Sequence, residues 1–400
     1  MDTKLGLQLT IEESGRAYIA KKNKKKKKTR QKKKKKEKTM QMEINLPSEL
    51  IIEILLRLPV KSLLRFKSVC KSWFSIISHS NFANSHFQIT TTTHILTISA
   101  TSPLKFQSID FEINHHVLLN HNFLLPRPYS YLQIKGSCRG FICLYCYIDI
   151  WIWNPSNGIH KQIPLSPFGS ELLEYHLRHL YGFGYDPSRD DYMVVLLSYD
   201  PRANFSSHLE FFSLRDNMWN EIEDTHSAYL TDFGNPRAGS FFNEAIHWVA
   251  ERYGSSVNVI VVFDLMERKL FEMPLPDGFD HDLEDFGLWI FGEFLSLWVV
   301  DYDNHLVEIW VMKEYKLHSS WTKTLVIRAK RGIPFYPFYK PVCRTKSGDI
   351  IGKDQDRLVK YNDKGQRLEY LYIDRYANEL AMYTESLFSL PGELGASSRR

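Results

Sequence analysis

The stretch LPSELIIEILLRLPVKSLLRFKSVCKSW, residues 46–73, decides the fold of the amino-terminal part of this chain. Residues 48–58 predict a helix whose charged side chains, Glu49, Glu53 and Arg57, fall at i, i+4 and i+8 and form one narrow stripe. Leucine and isoleucine fill most of the remaining circumference, so we expect burial on more than one side. A helical unit of about 45 residues cannot hide that much surface on itself. Something else should therefore cover part of this helix.

Two prolines divide the stretch into helices. Pro47 suits a first helical turn, where its missing N–H costs nothing, and Pro59 ends the first helix by removing a donor. A second helix is predicted over residues 60–66. A third amphipathic helix is indicated by apolar residues at i, i+4 and i+8, namely Val69, Trp73 and Ile77.

Together with Phe82, these residues resemble an F-box of the form found in plant F-box proteins. The resemblance implies a small helical module that binds a Skp-type adaptor of a cullin-RING (SCF-type) ubiquitin ligase, while the rest of the chain recruits the substrate. Several positions match the family's apolar pattern, and the resemblance implies that they bind the adaptor. They are Leu46, Pro47, Leu50, Ile54, Leu58, Pro59, Leu63, Leu64, Val69, Cys70 and Trp73. Sequence leaves open which face the adaptor and which the module's own core. The alternative is the packed core of an all-helical subdomain.

The chain length and composition predict two domains inside the cell. The 400 residues exceed one usual domain, and 44% hydrophobic and 14% aromatic residues suffice for a large core. No apolar run reaches membrane-spanning length, and no secretory leader is recognisable at the amino terminus. Five scattered cysteines fit a reducing compartment. We expect a nuclear or cytoplasmic protein, or one found in both compartments.

The positive charge comes from one lysine-rich run. Residues 21–38 carry a net charge of +13 against +5 for the whole chain, which leaves −8 for the remainder. Such a block repels itself, so residues 1–41 are predicted to be a disordered tail. Candidates for a nuclear-localisation signal are Lys24, Lys25, Lys26, Lys27, Lys28, Arg30, Lys32, Lys33, Lys34, Lys35 and Lys36. Non-specific contact with nucleic acid, a tail without a specific role, and a translation start at Met42 are the alternatives.

Beyond residue 88 the pattern changes to short alternating strands. A strand, turn and second strand recur six times, about 45 to 60 residues apart, which is the period of a four-stranded propeller blade. The six copies are residues 106–119, 151–165, 210–223, 261–276, 308–323 and 358–373. The predicted fold class is α+β multidomain, with an F-box at 42–88, an all-β propeller of about six blades at 89–375, and a carboxy-terminal tail at 376–400. Residues 89–99 are predicted to pair with the last blade and close the ring.

Motifs in the second part also resemble a known domain. They look like the F-box-associated domain of plant proteins, which is related to kelch propellers, and they comprise residues 136–144, 153–158, 181–195, 244–250, 262–276 and 309–323. True kelch blades carry a Gly-Gly pair, and this chain has none. Inferences specific to kelch repeats, including carbohydrate or actin binding, therefore do not carry over.

Candidate chemistry is sparse. Cys143 and Cys146, with Cys138 upstream, have a zinc-like spacing, but residues i and i+3 of a strand point to opposite faces, which favours buried structural thiols. His176 and His179 are interpreted as solvated loop histidines. The aspartates of a predicted turn, Asp186, Asp190 and Asp191, suit local backbone hydrogen bonds. No cofactor, metal site or catalytic residue is predicted.

Two functions remain after this survey. The first is a non-catalytic substrate receptor of an SCF-type ubiquitin ligase, whose propeller recruits an unknown protein target through loops such as 201–208, 225–237 and 277–285. The second is a stand-alone propeller that binds glycan or nucleic acid, with the lysine-rich tail supplying the charge. For the first, nucleic acid contact is expected only non-specifically through that tail, and no membrane contact is expected.

Overall fold

Over the residues that it describes, the computed structural model shows four α-helices followed by strands arranged in six sheets. It describes residues 46–90, 93–99, 101, 104–112, 115–119, 132–146, 149–167, 179–200, 206–222, 228–230, 238–283, 285–301, 303–304, 306–328, 340–345 and 347–391. The predicted fold class, a small helical module followed by a six-blade propeller, is confirmed.

The helices are α1 (Ser48–Leu56), α2 (Val60–Phe66), α3 (Lys71–Ser78) and α4 (Ser80–Ile89). Pro47 provides the first carbonyl of α1, which accepts a hydrogen bond from Ile51 N at 3.2 Å, and Pro59 caps α2. The third helix begins later than its periodicity predicts, because Cys70 is its N-cap and Sγ accepts from Trp73 N at 3.5 Å. Val69 therefore lies in the preceding turn.

The polypeptide divides into two structural units, one ending at Leu55 and one beginning at Leu56. The first unit contains nearly all of α1. The second contains α2, α3, α4 and all the strands.

The strands form six blades, each with its first-named strand innermost. Blade 1 contains β25 (Ala377–Thr384), β1 (Thr93–Ser99), β2 (Lys105–Asp110) and β3 (His115–Leu118). Blade 2 contains β4 (Leu132–Cys138), β5 (Phe141–Cys146), β6 (Asp149–Trp153) and β7 (His160–Ile163). Blade 3 contains β8 (His179–Asp186), β9 (Asp191–Asp200), β10 (Ser206–Ser213) and β11 (Met218–Ile222).

The other three blades follow the same order. Blade 4 contains β12 (Tyr229–Leu230) and β13 (Ser240–Phe242), which both pair with β14 (Ala245–Arg252), then β15 (Val257–Asp264) and β16 (Lys269–Pro274). Blade 5 contains β17 (Phe286–Phe291), β18 (Phe294–Asp301), β19 (Leu306–Met312) and β20 (Trp321–Arg328). Blade 6 contains β21 (Lys340–Arg344), β22 (Ile350–Asp354), β23 (Arg357–Tyr361) and β24 (Arg367–Tyr372).

Each of the six recurring units found in the sequence is the outer hairpin of one blade. Residues 106–119 form β2 and β3, and residues 151–165 form β6 and β7, with the remaining copies placed in the same way. Turn residues between the strands supply this regularity: the carbonyl of Asn154 accepts from Gly158 N at 2.9 Å and its side-chain Oδ1 accepts from Ser156 N at 2.9 Å.

The ring is closed by pairing between the first and last strands. β1 pairs antiparallel with β25, from Thr93 opposite Thr384 to Ser99 opposite Ala377. Residues 93–99 therefore close the ring, as predicted, and their partner is the last described strand. The prediction of a tail at 376–400 is wrong for residues 377–390, which form β25 and a packed segment containing buried Leu387, Phe388 and Leu390. Pairing with a distant strand orders a segment whose own strand signal is weak.

The core lies between neighbouring blades and around the inner strands. The inner strands contact one another in the order β25, β4, β8, β13, β17, β21 and back to β25. Side chains of blades 3 and 4 share one apolar cluster that includes Leu197 and Trp248. Gly182 of β8 permits this close approach, because a Cβ there would lie 2.9 Å from the Trp248 ring. Packing of sheet against sheet thus repeats around the ring.

Candidate functional site

An exposed apolar stripe runs along α1 and includes Leu46, which lies two residues before the helix. Leu46, Leu50 and Ile54 follow one another at i, i+4 and i+8, and they are 46%, 45% and 52% exposed. Leu55, on a different face, is completely buried. Fully burying a leucine or isoleucine is worth about 1.5–3 kcal/mol, so a partner that covers this stripe gains considerable free energy. The surplus apolar surface that the sequence predicts on this helix is therefore the stripe of Leu46, Leu50 and Ile54.

The other predicted adaptor-binding residues fall into three classes. Val69 at 61% is even more exposed than the stripe, and Pro47, Pro59 and Cys70 are exposed too. A second class is half-buried and comprises Leu58, Leu64 and Trp73. The third class is Leu63 alone, which is completely buried and therefore belongs to the internal core of the free chain. Leu63 is thus one of the positions that face the module's own core, an alternative that the sequence left open.

Sequence reasoning missed Phe74, which is exposed on α3. Its neighbour Trp73 is half-buried against Phe66, with ring centroids 5.2 Å apart. Phe74 falls outside the i, i+4 pattern of Trp73 and Ile77, and that departure is the signal that could have identified it. A large aromatic ring at such a position is available to a partner.

A buried histidine ties the turn after α1 to α4. The Nε2–H group of His86 donates to the carbonyl of Leu58 at 2.8 Å, and Nδ1 lies 3.1 Å from Thr90 Oγ1. Because a carbonyl only accepts, this bond fixes the proton on Nε2. Burial also lowers the pKa of Lys67 in the turn after α2. The bond between His86 and Leu58 therefore holds α4 against the turn that precedes α2.

One end of the propeller receives α4, and we call it the F-box face. It is defined by the turns 139–140, 187–190 and 265–268. Arg139 Nη2 donates to Asn84 Oδ1 of α4 at 2.6 Å, and the Arg139 guanidinium lies 4.0 Å from the Tyr185 ring. Arg268 Nη2 donates to Asp186 Oδ2 at 2.8 Å, which places the third turn at the same end.

The opposite end of the propeller is the distal face. Successive turns of an antiparallel meander alternate between the two ends of a blade, so the connections 201–208, 225–237 and 277–285 belong to the distal end. Of these, residues 201–205, 225–227, 231–237 and 284 lie outside the described residues. Tyrosines that sequence reasoning missed, Tyr253, Tyr372 and Tyr376, are also exposed there, and Tyr372 is 61% exposed. Exposed tyrosine is common in protein interfaces because its ring adds area at low entropic cost.

The cysteines behave as predicted. Cys143 and Cys146 are buried in β5, and all five cysteines are free thiols. Burial raises the pKa of Cys146 to about 12, with the Asp149 carboxylate adding to the shift, and burial raises that of Cys143 further. Across the described ranges, no group of three or more His, Cys, Asp or Glu side chains could hold a metal ion.

The interpretation of His179 as solvated is wrong. It begins β8, is buried, and its Nδ1 lies 2.9 Å from Ser198 Oγ. Strand pairing with β9 carries the residue into the sheet, which its local sequence did not show. His176 lies outside the described residues, as do residues 1–41 and with them every nuclear-localisation candidate.

The aspartates lie at the predicted turn between β8 and β9, where Asp186 ends β8, Asp190 is in the turn and Asp191 begins β9. Burial opposes ionisation of Asp186, but hydrogen bonds from Ser188 and the Arg268 charge outweigh it and lower its pKa. Burial raises the pKa of Asp191, whose Oδ2 accepts from Ser213 Oγ at 2.5 Å. Both carboxylates are therefore used to hold turns together.

Comparison with known proteins agrees with this architecture. A family model described as the F-box associated beta propeller domain matches residues 87–384, and one described as the F-box domain matches residues 44–84. The chain belongs to the F-box proteins that carry an F-box associated propeller. Among its relatives in Arabidopsis thaliana, the F-box/kelch-repeat protein At3g23880 is 30% identical over 82% of this chain and 90% of its own length. F-box protein CPR1 is 27% identical over 82% of this chain and 84% of its own.

Solved structures give more distant likenesses. Citrobacter koseri AztD is 8% identical, with a TM-score of 0.38 over 73% of this chain and 97% of its own. A putative 6-phosphogluconolactonase from Bacteroides uniformis is 10% identical, with a TM-score of 0.36 over 73% of this chain and 99% of its own. In the described part of the chain, none of the helices is both long and apolar enough to cross a membrane.

Proposed function

We propose that this protein is the substrate-recognition subunit of an SCF-type ubiquitin ligase. The observation that carries the proposal is the exposed stripe of Leu46, Leu50 and Ile54 on the first helix of a chain that belongs to the F-box family. A Skp-type adaptor would cover this stripe and link the chain to a cullin-RING ligase. In the second structural unit, Val69, Cys70 and Phe74 are exposed as well, and they lie within the residues that the F-box family model matches.

The propeller would recruit the protein target through its distal face. This face is remote from the turns that contact α4, so a bound target does not compete with that contact. Loops vary freely on a rigid scaffold, and three exposed tyrosines add interface area there. The protein would do no bond chemistry itself. It would act by holding the target beside the ligase, which raises the effective concentration of the target there.

Adaptor binding is tested by co-expression of the full chain with a Skp-type adaptor. The native chain should give a stable complex by size-exclusion chromatography, and Leu50→Asp and Ile54→Asp should each weaken it at least tenfold, about 1.4 kcal/mol. Glu53→Gln is the matched control, because it changes an exposed residue of the same helix outside the apolar stripe.

Two results would contradict the proposal. One is a complex that survives both aspartate substitutions with unchanged affinity. The other is a complex that forms equally well after deletion of residues 44–88, which would favour the stand-alone binding module.

Target recruitment is tested by affinity capture from plant cells in which the proteasome is blocked. Proteins captured by the native chain should be lost with Tyr372→Ala combined with Tyr376→Ala, whereas adaptor recovery should stay the same. Met266→Ala is the control, because it removes an exposed apolar side chain from the F-box face. If Met266→Ala loses the targets and the tyrosine variant keeps them, target recognition belongs to the F-box face and the proposal for the distal face is wrong.

We also propose that the lysine-rich run at residues 21–38 directs part of the protein to the nucleus. Its clustered lysines have the composition of a nuclear-localisation signal. The remaining molecules would be cytoplasmic.

A further inference from the structure

The junction between α4 and the propeller is built around Arg139. Its guanidinium carbon lies 4.0 Å from the centroid of the Tyr185 ring and 4.3 Å from that of Phe388. The same group donates through Nη2 to Asn84 Oδ1 of α4 at 2.6 Å. A planar guanidinium stacks on rings with its faces and donates hydrogen bonds at its edge. One side chain therefore joins α4, blade 3 and the segment after β25.

The backbone at Arg139 is held in a conformation that favours glycine. Arg139 and Gly140 have φ values of 49° and 82°, and a two-residue hairpin turn of type I′ requires positive φ at both central positions. A non-glycine residue costs about 1–2 kcal/mol there. Asparagine would adopt this turn more easily, so arginine at this position is a cost to the stability of the turn.

The segment after β25 is fixed to blade 2, and we call residues 385–390 the C-terminal clamp. Asn154 Nδ2 donates to Ser386 Oγ at 2.9 Å, and Asn157 Nδ2 donates to the carbonyl of Phe388 at 2.9 Å. Ser386 and Asn154 are completely buried. The clamp is therefore an integral part of the propeller on the F-box face.

The C-terminal clamp also contacts the helical module directly. The ring of Phe388 lies 5.2 Å from that of Phe87 in α4, and Arg139 stands 6.0 Å from the same Phe87 ring. Aromatic pairs of this kind contribute about 0.5–1.5 kcal/mol beyond their buried area. Two contacts on one side of α4, Asn84 with Arg139 and Phe87 with Phe388, restrict its rotation.

We propose that Arg139 and the C-terminal clamp hold α4 in a single orientation on the propeller, which makes Arg139 a positioning residue for ubiquitin transfer. The inference rests on the proposed function, since a receptor must present its target at a defined distance from the ligase. Domains joined by small interfaces move relative to each other by default. Such motion would spread the target over a larger volume and reduce its effective concentration.

The experiment measures a distance between the N-cap of α3 and the distal face in the full-length chain. One spin label is placed on native Cys70, which is exposed, and one on Ser255→Cys in the exposed turn between β14 and β15. The other four cysteines are buried and their raised pKa values keep them unreactive. Pulsed electron paramagnetic resonance then gives the distribution of label separations.

We expect one narrow distribution for the otherwise native protein and about twofold broadening for Arg139→Ala and for Phe388→Ala. Arg139→Lys should also broaden it, because lysine keeps the charge but loses the planar stack. Arg189→Ala is the control: it removes an arginine from the neighbouring turn on the F-box face, where it pairs with Asp216 at 2.8 Å. Thermal unfolding verifies that each variant is folded. A variant that only loses the fixed orientation of α4 should unfold at the same temperature as the native protein.

A distribution for Arg139→Ala that stays as narrow as the control's would overturn the inference. If Phe388→Ala fails to fold, the two Arg139 variants decide the question. Adaptor binding is measured separately on unlabelled proteins and should be equal for native and Arg139→Ala chains. Failure of the native chain to bind the adaptor would remove the proposed function, while the distances would still report whether Arg139 fixes α4.

Discussion

Lys135 of β4 offers a direct test of the energetics of the propeller core. It is only 1% exposed, and its ammonium group lies 5.0 Å from the Tyr181 ring and 5.5 Å from the Tyr145 ring. Burial lowers the pKa of Lys135 to about 8, although the Glu379 carboxylate acts in the opposite direction. The native fold therefore binds this proton more weakly than the unfolded chain does.

The size of the effect follows from the two pKa values. The ordinary lysine pKa of 10.5 applies in the unfolded chain and about 8 in the folded one. At 1.36 kcal/mol per pKa unit, the charged form costs the fold about 3 kcal/mol at neutral pH. Below pH 8 this cost is fully present. As pH rises from 8 towards 10.5 the folded lysine loses its proton first, so the free energy of unfolding increases.

Lys135→Met removes the titrating group and keeps a side chain of similar length. The difference in unfolding free energy between native and variant proteins should shift by about 2.5 kcal/mol between pH 7 and pH 10, in favour of the native protein. Urea unfolding followed by tryptophan fluorescence, with a reductant present, measures it at both pH values. Lys105→Met, which removes an exposed lysine paired with Asp374, is the matched control. A Lys135→Met difference that is constant with pH would refute the reasoning.

Three further predictions test other parts of the molecule. Gly140→Ala should lower the unfolding free energy by about 2 kcal/mol or more, because φ is 82° and the new Cβ would lie 2.8 Å from the Thr384 carbonyl oxygen. Gly254→Ala, at φ 79° with open space around it, should cost only the backbone part, about 1 kcal/mol, and equal losses in urea midpoint would disprove the clash. Leu63→Ala should destabilise the helical module by about 2–5 kcal/mol, seen as faster hydrogen exchange in α2, whereas half-buried Leu64→Ala should cost less. Deleting residues 21–38 should abolish nuclear enrichment of a fluorescent fusion protein, and an unchanged distribution between nucleus and cytoplasm would rule out a role in import.

Local patterns in the sequence were sufficient for most of the architecture. Proline placement predicted α2 over the residues it occupies, and turn residues such as Asn154 to Gly158 marked the outer hairpins of the blades. These signals work because each depends on neighbours within a few residues. The exposed stripe on α1 was predicted as surplus apolar surface for the same reason.

Features that depend on distant contacts escaped prediction. The segment ANELAMYT at 377–384 contains good helix formers, yet it becomes β25 by pairing with β1 far earlier in the chain. Arg139 reads as an ordinary turn residue until Tyr185, Phe388 and Asn84 are brought around it by three separate elements. Pattern alone also could not separate Leu63, in the core, from half-buried Leu64.

The pairing of β1 with β25 has a consequence for biosynthesis. Ile95 and Leu96 of β1 emerge from the ribosome long before their partners Met382 and Ala381 exist. The edge of β1 therefore stays unpaired, and has to be protected from other strands, until β25 has been synthesised. A product of premature termination would never complete that sheet, which makes it a natural client for chaperones and proteolysis.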